Sequence, residues 1–551
     1  MKTIRNIILV ILFIIMISFC LYIAPNYKKD ENENITNLVI NYTNVTGKMI
    51  GEVIIEDDGT IYISKEDMEK YYDKYLYYDK QYNYIVATAN GQKACFNIND
   101  GTLDINGNKT KSKIIQKNGI YYIPISKIED VYNIDVKYVK EYDTVIIESL
   151  DRKLETAKIA KNTNVKYKNT EFSKSLEKLN KDTKVSIVPN NENKDYKGWT
   201  LVKTENGKIG YIKNEYLTEF KIERAESVKE NKKVSLVWEY FSEYAKAPKN
   251  NETVAYNGVN VVSPSFFCIE DGNLKENVGT DGINYIKWAK SNNYEVWAMV
   301  QGINDSKEKR EEFSKWINDY KKREEIINQI ITYVKNYELD GINIDLENIN
   351  ESDKDAVSRF IIELKPELQN IGAVLSVDVT VPDGAPNWSL CFDRNVIGDV
   401  SDYLIVMTYD KVTKNSKKAD STAPYYWIED NIKKIIDREQ VESNKIILGV
   451  PLYTILWKTE GENTKGTVIS IKNIKKYIPS DVEIQWLEDS KQQYIEYTKN
   501  GETYKMWIEN EDSISQKLDL VNKYNLAGAA FWQKGYENEN IFSIVKQKIL
   551  E

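Results

Sequence analysis

"ELDGINIDLENIN", residues 338–350, is the stretch that decides the fold of the longest part of this chain. Ile342, Ile344 and Leu346 alternate with Asn343, Asp345 and Glu347. Side chains alternate across a β-strand, so this strand has one apolar face and one polar face. A parallel barrel uses such a strand directly: the apolar face packs on surrounding helices and the polar face turns inward. Polar groups held inside a barrel are costly unless they bond to one another. The set is therefore read as a functional site, the plain alternative being a structural polar ladder. Glu347 falls at the C-terminal end of the strand, where barrel active sites are built. Asp340 has the other parity, at the strand's start, and reads as structural support.

Strand-like runs recur on both sides of this one. They are "KVSLVWEY" (233–240), "GVNVVSPSFF" (258–267), "YEVWAMVQ" (294–301), "AVLSVDVTV" (373–381), "DYLIVMTYD" (402–410), "KIILGVPLY" (445–453) and "LAGAAFWQ" (526–533). Helical patterns separate most of them. In "KREEIINQIITYVKNY" (322–337), Ile326, Ile327, Ile330, Ile331 and Val334 share one helical face. Eight strands over residues 231–551 predict an α/β fold, a (β/α)8 TIM barrel. The long gap before the eighth strand holds further β-like pieces and predicts a small α+β insertion at about 457–512.

Three segments precede the barrel. Residues 7–25 form an apolar run of bilayer-spanning length, preceded by Lys2 and Arg5 and lacking a small-x-small cleavage site. Residues 1–36 are expected to be a signal-anchor and polar spacer holding the rest of the chain outside a bacterial cell membrane; a cleaved signal peptide leading to the cell wall is the alternative. Residues 37–150 carry an internal repeat at an offset of 60. "GTIYISKEDMEKYY" from Gly59 matches "GIYYIPISKIEDVY" from Gly119, and Ile63/Ile123, Tyr72/Tyr132 and Tyr78/Tyr138 coincide. Each half reads as strand, short helix, two strands. This α+β segment resembles the stalk domain named after the N-terminal part of copper amine oxidases. Its tyrosines are read as structural, with sugar stacking as the alternative. Residues 151–222 read as a small all-β barrel. "GWTLVKTENGKIGYI" places Asn206-Gly207 between two alternating runs, a strong hairpin signal. It resembles a bacterial SH3-type domain, which implies binding of wall peptides; Trp199 is expected in its core.

Composition narrows the chemistry. The 551 residues contain no histidine, which removes the usual zinc sites and His-based triads. The four cysteines form no CxxC pair, so neither a metal nor a disulfide framework is expected. A net charge of -9 argues against a nucleic-acid partner. No cofactor is expected.

"DGINIDLE" resembles the DGxDxDxE signature of glycoside hydrolase family 18. "MTYD" (407–410), "ILGVPLYT" (447–454) and "AFW" (530–532) resemble its sixth, seventh and eighth strands. The resemblance covers residues 231–551 and is closest to the bacterial branch of spore-cortex and cell-wall glucosaminidases, where Asn also stands at the position of Asn343. It implies a substrate-assisted, retaining hydrolysis beside N-acetylglucosamine in peptidoglycan or chitin. Glu347 would be the general acid and base, Asp345 would orient the acetamido N–H, and Tyr409 would bond the acetamido oxygen. Trp532 would floor the sugar site, Asp410 would contact a hydroxyl, and Met407 would pack beneath the pocket. A non-catalytic glycan-binding protein on the same barrel is the alternative class, and Glu347 argues against it.

Asn343 departs from the commoner Asp. It cannot ionise, but its amide is expected to donate to Asp345 and leave that carboxylate simply ionised. Gln301 at the end of the third strand and Tyr453 at the end of the seventh are further candidates to line the cleft. So are Asp383, Trp388, Asp393 and Arg394 in the loop after the fifth strand, and Tyr497 and Trp507 in the insertion.

Overall fold

The computed structural model describes residues 35–190, 196–224, 232–241, 247 and 254–551. The expected signal-anchor therefore lies outside the described residues. Among those described, no helix is long and apolar enough to cross a membrane. The chain divides into two compact units, Met1–Lys229 and Glu230–Glu551.

In the first unit the 60-residue repeat becomes a local two-fold. Strands Ile61–Ser64 and Ile120–Pro124 pair antiparallel with Ile63 opposite Ile123. The repeat-related rings of Tyr72 and Tyr132 meet edge-on at 5.0 Å, and the Tyr72 hydroxyl donates to the Tyr132 carbonyl at 3.2 Å. Ser64 caps the helix Lys65–Tyr71 by accepting from the Asp67 N–H. Ile63, Ile123, Val131 and Val145 are buried in one core, so hydrophobic alternation and repeat symmetry agree.

Seven strands between Leu154 and Arg224 form a single sheet. The Asn206-Gly207 turn joins Trp199–Lys203 to Ile209–Lys213, with Gly207 at φ 78°. Val202 and Ile212 enter the core. Trp199, expected there, has the opposite parity to Val202. It lies half-buried on the other face, with the Lys213 ammonium 5.7 Å over its ring.

The second unit is a closed barrel of eight parallel strands. They are β1 (Val234–Glu239), β2 (Val261–Pro264), β3 (Glu295–Ile303), β4 (Gly341–Glu347), β5 (Val374–Thr380), β6 (Tyr403–Met407), β7 (Ile446–Pro451) and β8 (Gly528–Trp532). Each pairs with the next, and β8 closes on β1. Outward residues Ile342, Ile344 and Leu346 pack in the core that also holds Ile326, Ile330 and Phe360. Trp238, Trp297, Met299, Ile405 and Ile447 fill the interior. The helix Tyr320–Tyr337 buries its predicted isoleucine face; Asp319 caps its start and Glu338 ends it in the left-handed conformation.

Two elements differ from expectation. The second strand stops at Pro264, which has no N–H to continue a ladder. Ser265 then accepts from the Phe241 N–H and donates to the Phe241 carbonyl, and the chain turns into a hairpin, Phe267–Glu270 with Asn273–Glu276. The insertion is a five-stranded antiparallel sheet running from Tyr453 to Ile508, with one short 3₁₀ stretch at Ile471–Tyr477. It starts at Tyr453, ahead of the expected 457, because β7 ends at Pro451.

A buried polar network ties the insertion to the barrel. Glu509 accepts from Gln492 Nε2 at 2.5 Å, Ser513 Oγ at 2.7 Å and the Lys517 ammonium, and Ser421 donates to Gln492 at 2.6 Å. Glu509 and Lys517 are both fully buried. Removing one partner strands a buried charge, so Lys517→Ala is expected to cost about 3–5 kcal/mol in urea-induced unfolding. Neutralising the stranded charge as well, in Lys517→Ala/Glu509→Gln, keeps an acceptor oxygen beside Gln492 and Ser513 and is expected to recover part of the loss.

Candidate active site

The polar face of β4 rises through the barrel as Asn343, Asp345 and Glu347. Asn343 is fully buried and uses all its hydrogen-bonding capacity. Its Oδ1 accepts from Trp238 Nε1 at 2.9 Å and Ser263 Oγ at 3.1 Å; its Nδ2 donates to Ser376 Oγ at 3.1 Å and Asp378 Oδ1 at 2.7 Å. The amide therefore does not donate to Asp345, as had been expected. Residues two apart on a strand are about 6.7 Å apart, whereas Asn343 is met by β1 and β2 from across the interior and by β5 from alongside.

Asp345 stands level with Gln301 on β3. Burial pushes its carboxyl up to about 6, and a hydrogen bond from Gln301 holds it from rising further. Its Oδ1 is buried without a hydrogen-bond partner. Glu347 is pushed up to about 8 by burial, with the negative charges of Asp345 and Asp410 adding to the effect. Near neutral pH the two carboxyls thus differ: Glu347 holds a proton while Asp345 has mostly lost its own. That separation is what acid–base catalysis by two carboxyls requires.

Aromatic rings surround the pair. Tyr409 follows β6, and its phenol is held well above its ordinary value by burial and by Tyr453, Asp378, Asp345 and Glu347. It remains a hydrogen-bond donor. Trp238 lies 6.5 Å from Tyr409 and 6.0 Å from Trp532, both edge-on. Trp532 ends β8, and the half-exposed Tyr240 tilts toward it at 6.3 Å. Asp410 takes a left-handed backbone conformation (φ 58°) and accepts from the Tyr453 hydroxyl and from Thr422 Oγ1. An inward carboxyl pair under an aromatic rim, at the C-terminal mouth of a closed barrel, suits a sugar substrate.

Residues 236–537, more than half of the chain, match the family Glycosyl hydrolases family 18. The chain belongs to that family. This family 18 chain is a glycosidase. It is 25% identical over 309 residues to an uncharacterized glycosylase, YvbX, of Bacillus subtilis (strain 168), covering 55% of this chain and 88% of the relative. It is 23% identical over 226 residues to the cortical fragment-lytic enzyme of the same organism, covering 40% of this chain and 52%, about half, of that enzyme. Among solved structures, the spore cortex-lytic enzyme SleL of Bacillus megaterium QM B1551 superposes with a TM-score of 0.51 at 20% identity, covering 61% of this chain and 79% of that one. Its homologues thus include the spore cortex-lytic branch of the family.

The remaining predicted residues divide into two groups. Gln301 and Tyr453 act on the carboxyls, Gln301 on Asp345 and Tyr453 on Asp410, rather than simply lining a cleft. Met407 is buried at the end of β6, on the same parity as Ile405 of the barrel interior. In the loop after β5, three of the charged side chains bond to backbone. Arg394 is buried and donates to the carbonyls of Thr380, Val381 and Ser389; Asp393 caps the helix Arg394–Val400; Asp383 caps a turn at Ala385. Trp388 offers its carbonyl to the Thr380 hydroxyl. In the insertion Tyr497 stacks on Tyr504 at 5.0 Å and Trp507 packs on Tyr494 at 4.8 Å. Asp340 accepts from the Val296 N–H at 2.9 Å, a structural role as expected.

Sequence reasoning missed Asp378, Trp238 and Tyr240. The signal for Asp378 was present: Ser376, Asp378 and Thr380 alternate with valines in "LSVDVTV" in the same manner as β4. Trp238 and Tyr240 sit at the end of β1, the barrel position at which a polar or aromatic side chain reaches the mouth.

Proposed function

We propose that this family 18 enzyme cleaves the β-1,4 linkage following N-acetylglucosamine in peptidoglycan, of the wall or the spore cortex, by a substrate-assisted retaining route. One observation carries the chemistry: Asp345 and Glu347 share the inward face of β4 at the C-terminal mouth of the barrel, where burial holds both carboxyls above the ordinary carboxylate range and the charges of Asp345 and Asp410 raise Glu347 further. Glu347 then protonates the glycosidic oxygen and later deprotonates water. Asp345, charged, accepts the acetamido N–H while the acetamido oxygen attacks the anomeric carbon. The Tyr409 hydroxyl donates to that oxygen, and Trp532 offers a flat apolar surface to the sugar.

The preceding segments support a wall substrate. Residues 1–36 would tether the chain at a bacterial membrane with its domains outside, and residues 37–150 would act as a stalk. Residues 151–222 would hold wall peptides, using the outer-face rings of Trp199 and Tyr211; Tyr211 packs at 5.3 Å on Tyr196.

The test is digestion of intact peptidoglycan, cortex-derived peptidoglycan and chito-oligosaccharides, with released fragments identified by mass and the first-formed anomer by proton NMR. Peptidoglycan fragments ending in reducing N-acetylglucosamine, formed first as the β-anomer, are expected. Cleavage of chito-oligosaccharides alone would move the substrate to chitin, and an α-anomer formed first would overturn the retaining route.

A further inference from the structure

Asn343 removes a carboxyl from β4, and β5 returns one. β4 and β5 run parallel with Asn343 opposite Ser376 and Ile344 opposite Val377. One further step of that register sets Asp378 beside Asp345. Both have the inward parity, and neighbouring strands are only about 4.8 Å apart. Asp378 is 2% exposed, and one of its oxygens is already taken by the Asn343 amide at 2.7 Å. Across from it, Asp345 Oδ1 is buried with no partner.

We propose that Asp378 is a positioning residue that forms a proton-sharing pair with Asp345, so that Asn343 and Asp378 together do the work of a single carboxyl at position 343. The inference rests on the reading that Asp345 and Glu347 carry the reaction. Two carboxyls side by side in a dry layer do not both ionise. One proton serves the pair: Asp378 keeps it, Asp345 carries the charge, and no proton leaves the layer when Asp345 takes up the substrate N–H. The electrostatics agree with this division. Burial and the charges of Asp345 and Glu347 hold Asp378 well above its ordinary value, against the hydrogen bond from Asn343. The remaining titratable neighbour is Tyr409, whose phenol stays protonated. On β6, Ile405 lies opposite Asp378 and is apolar.

The test compares wild type, Asp378→Asn and the exchange Asn343→Asp/Asp378→Asn in the full chain. The exchange keeps the bond between positions 343 and 378 and reverses its donor and acceptor. Carboxyl protonation is followed by NMR of protein labelled with carboxyl-¹³C aspartate, independently of activity. Wild type is expected to show two separated aspartate steps, with one carboxyl still protonated above neutrality. Asp378→Asn is expected to show one step, and kcat on an N-acetylglucosamine polymer is expected to fall about 10- to 100-fold. The exchange is expected to restore both the second step and most of kcat. An Asp378→Asn protein that titrates and turns over like wild type overturns the proposal. So does an exchange that is no better than the single variant, or a pair of variants that both fail to fold. A wild type that cuts no N-acetylated glycan yet titrates in two steps would instead count against the proposed function, leaving the proton pair standing.

Discussion

Glu347→Gln is expected to lower kcat by about 10²- to 10⁴-fold, the range lost when a general acid is removed, with KM little changed. Glutamine is nearly isosteric, so the sugar still binds; what disappears is the proton for the leaving oxygen. Two pH signatures separate this from a folding defect. In wild type the acid is lost as pH rises through about 8, so kcat falls on that limb. The residual activity of Glu347→Gln lacks the limb. Wild-type stability falls in the same direction. The folded enzyme keeps a proton on Glu347 that the unfolded chain releases above the ordinary carboxylate range, so wild type loses stability as pH rises from that range through about 8. Glu347→Gln has no such group. Its melting temperature is expected to exceed that of wild type at pH 8 and to approach it at pH 4.

How much of this was legible in the sequence depended on what each residue faces. All eight barrel strands were legible as short apolar runs, most of them separated by helical patterns; a period of two is plain in β4 and β5, whereas β6, β7 and β8 are apolar or small on both faces. The carboxyl pair on β4 was legible from that period. The partner of Asn343 was not, because an in-strand view pairs residues two apart, whereas a barrel interior pairs residues across strands. Asp378 is 35 positions from Asn343 in the chain and within a hydrogen bond of it in space. Arg394 illustrates the opposite case. Charge after a barrel strand suggests a site, yet the Arg394 guanidinium is buried and donates to the backbone carbonyls of Thr380, Val381 and Ser389. Trp199 was expected in the core; its parity, opposite to that of Val202, puts it on the other face.

Asp345→Asn is expected to cost about 10²- to 10³-fold in kcat, the scale of removing one preorganised partner of transition-state charge. Its effect on pH is the more specific result. In wild type activity rises as pH increases through about 6, where Asp345 becomes the carboxylate that accepts the acetamido N–H. Asparagine has no ionisation, so the acid limb disappears. The alkaline limb moves too. The Asp345 charge is one of the causes that hold Glu347 up at about 8, with burial the largest and Asp410 the third. Without it the Glu347 carboxyl titrates lower, and the activity that remains falls off at a lower pH than in wild type. A structural lesion at Asp345 would scale the whole profile down and leave both limbs in place. The two substitutions also share one task, since the proton from Glu347 and the charge on Asp345 serve the same transition state. Glu347→Gln/Asp345→Asn is therefore expected to be scarcely worse than Glu347→Gln alone, as groups that act as a unit are not additive. Losses that multiply in the double variant would mean that Asp345 supports binding and not the chemical step, and KM would then carry the difference.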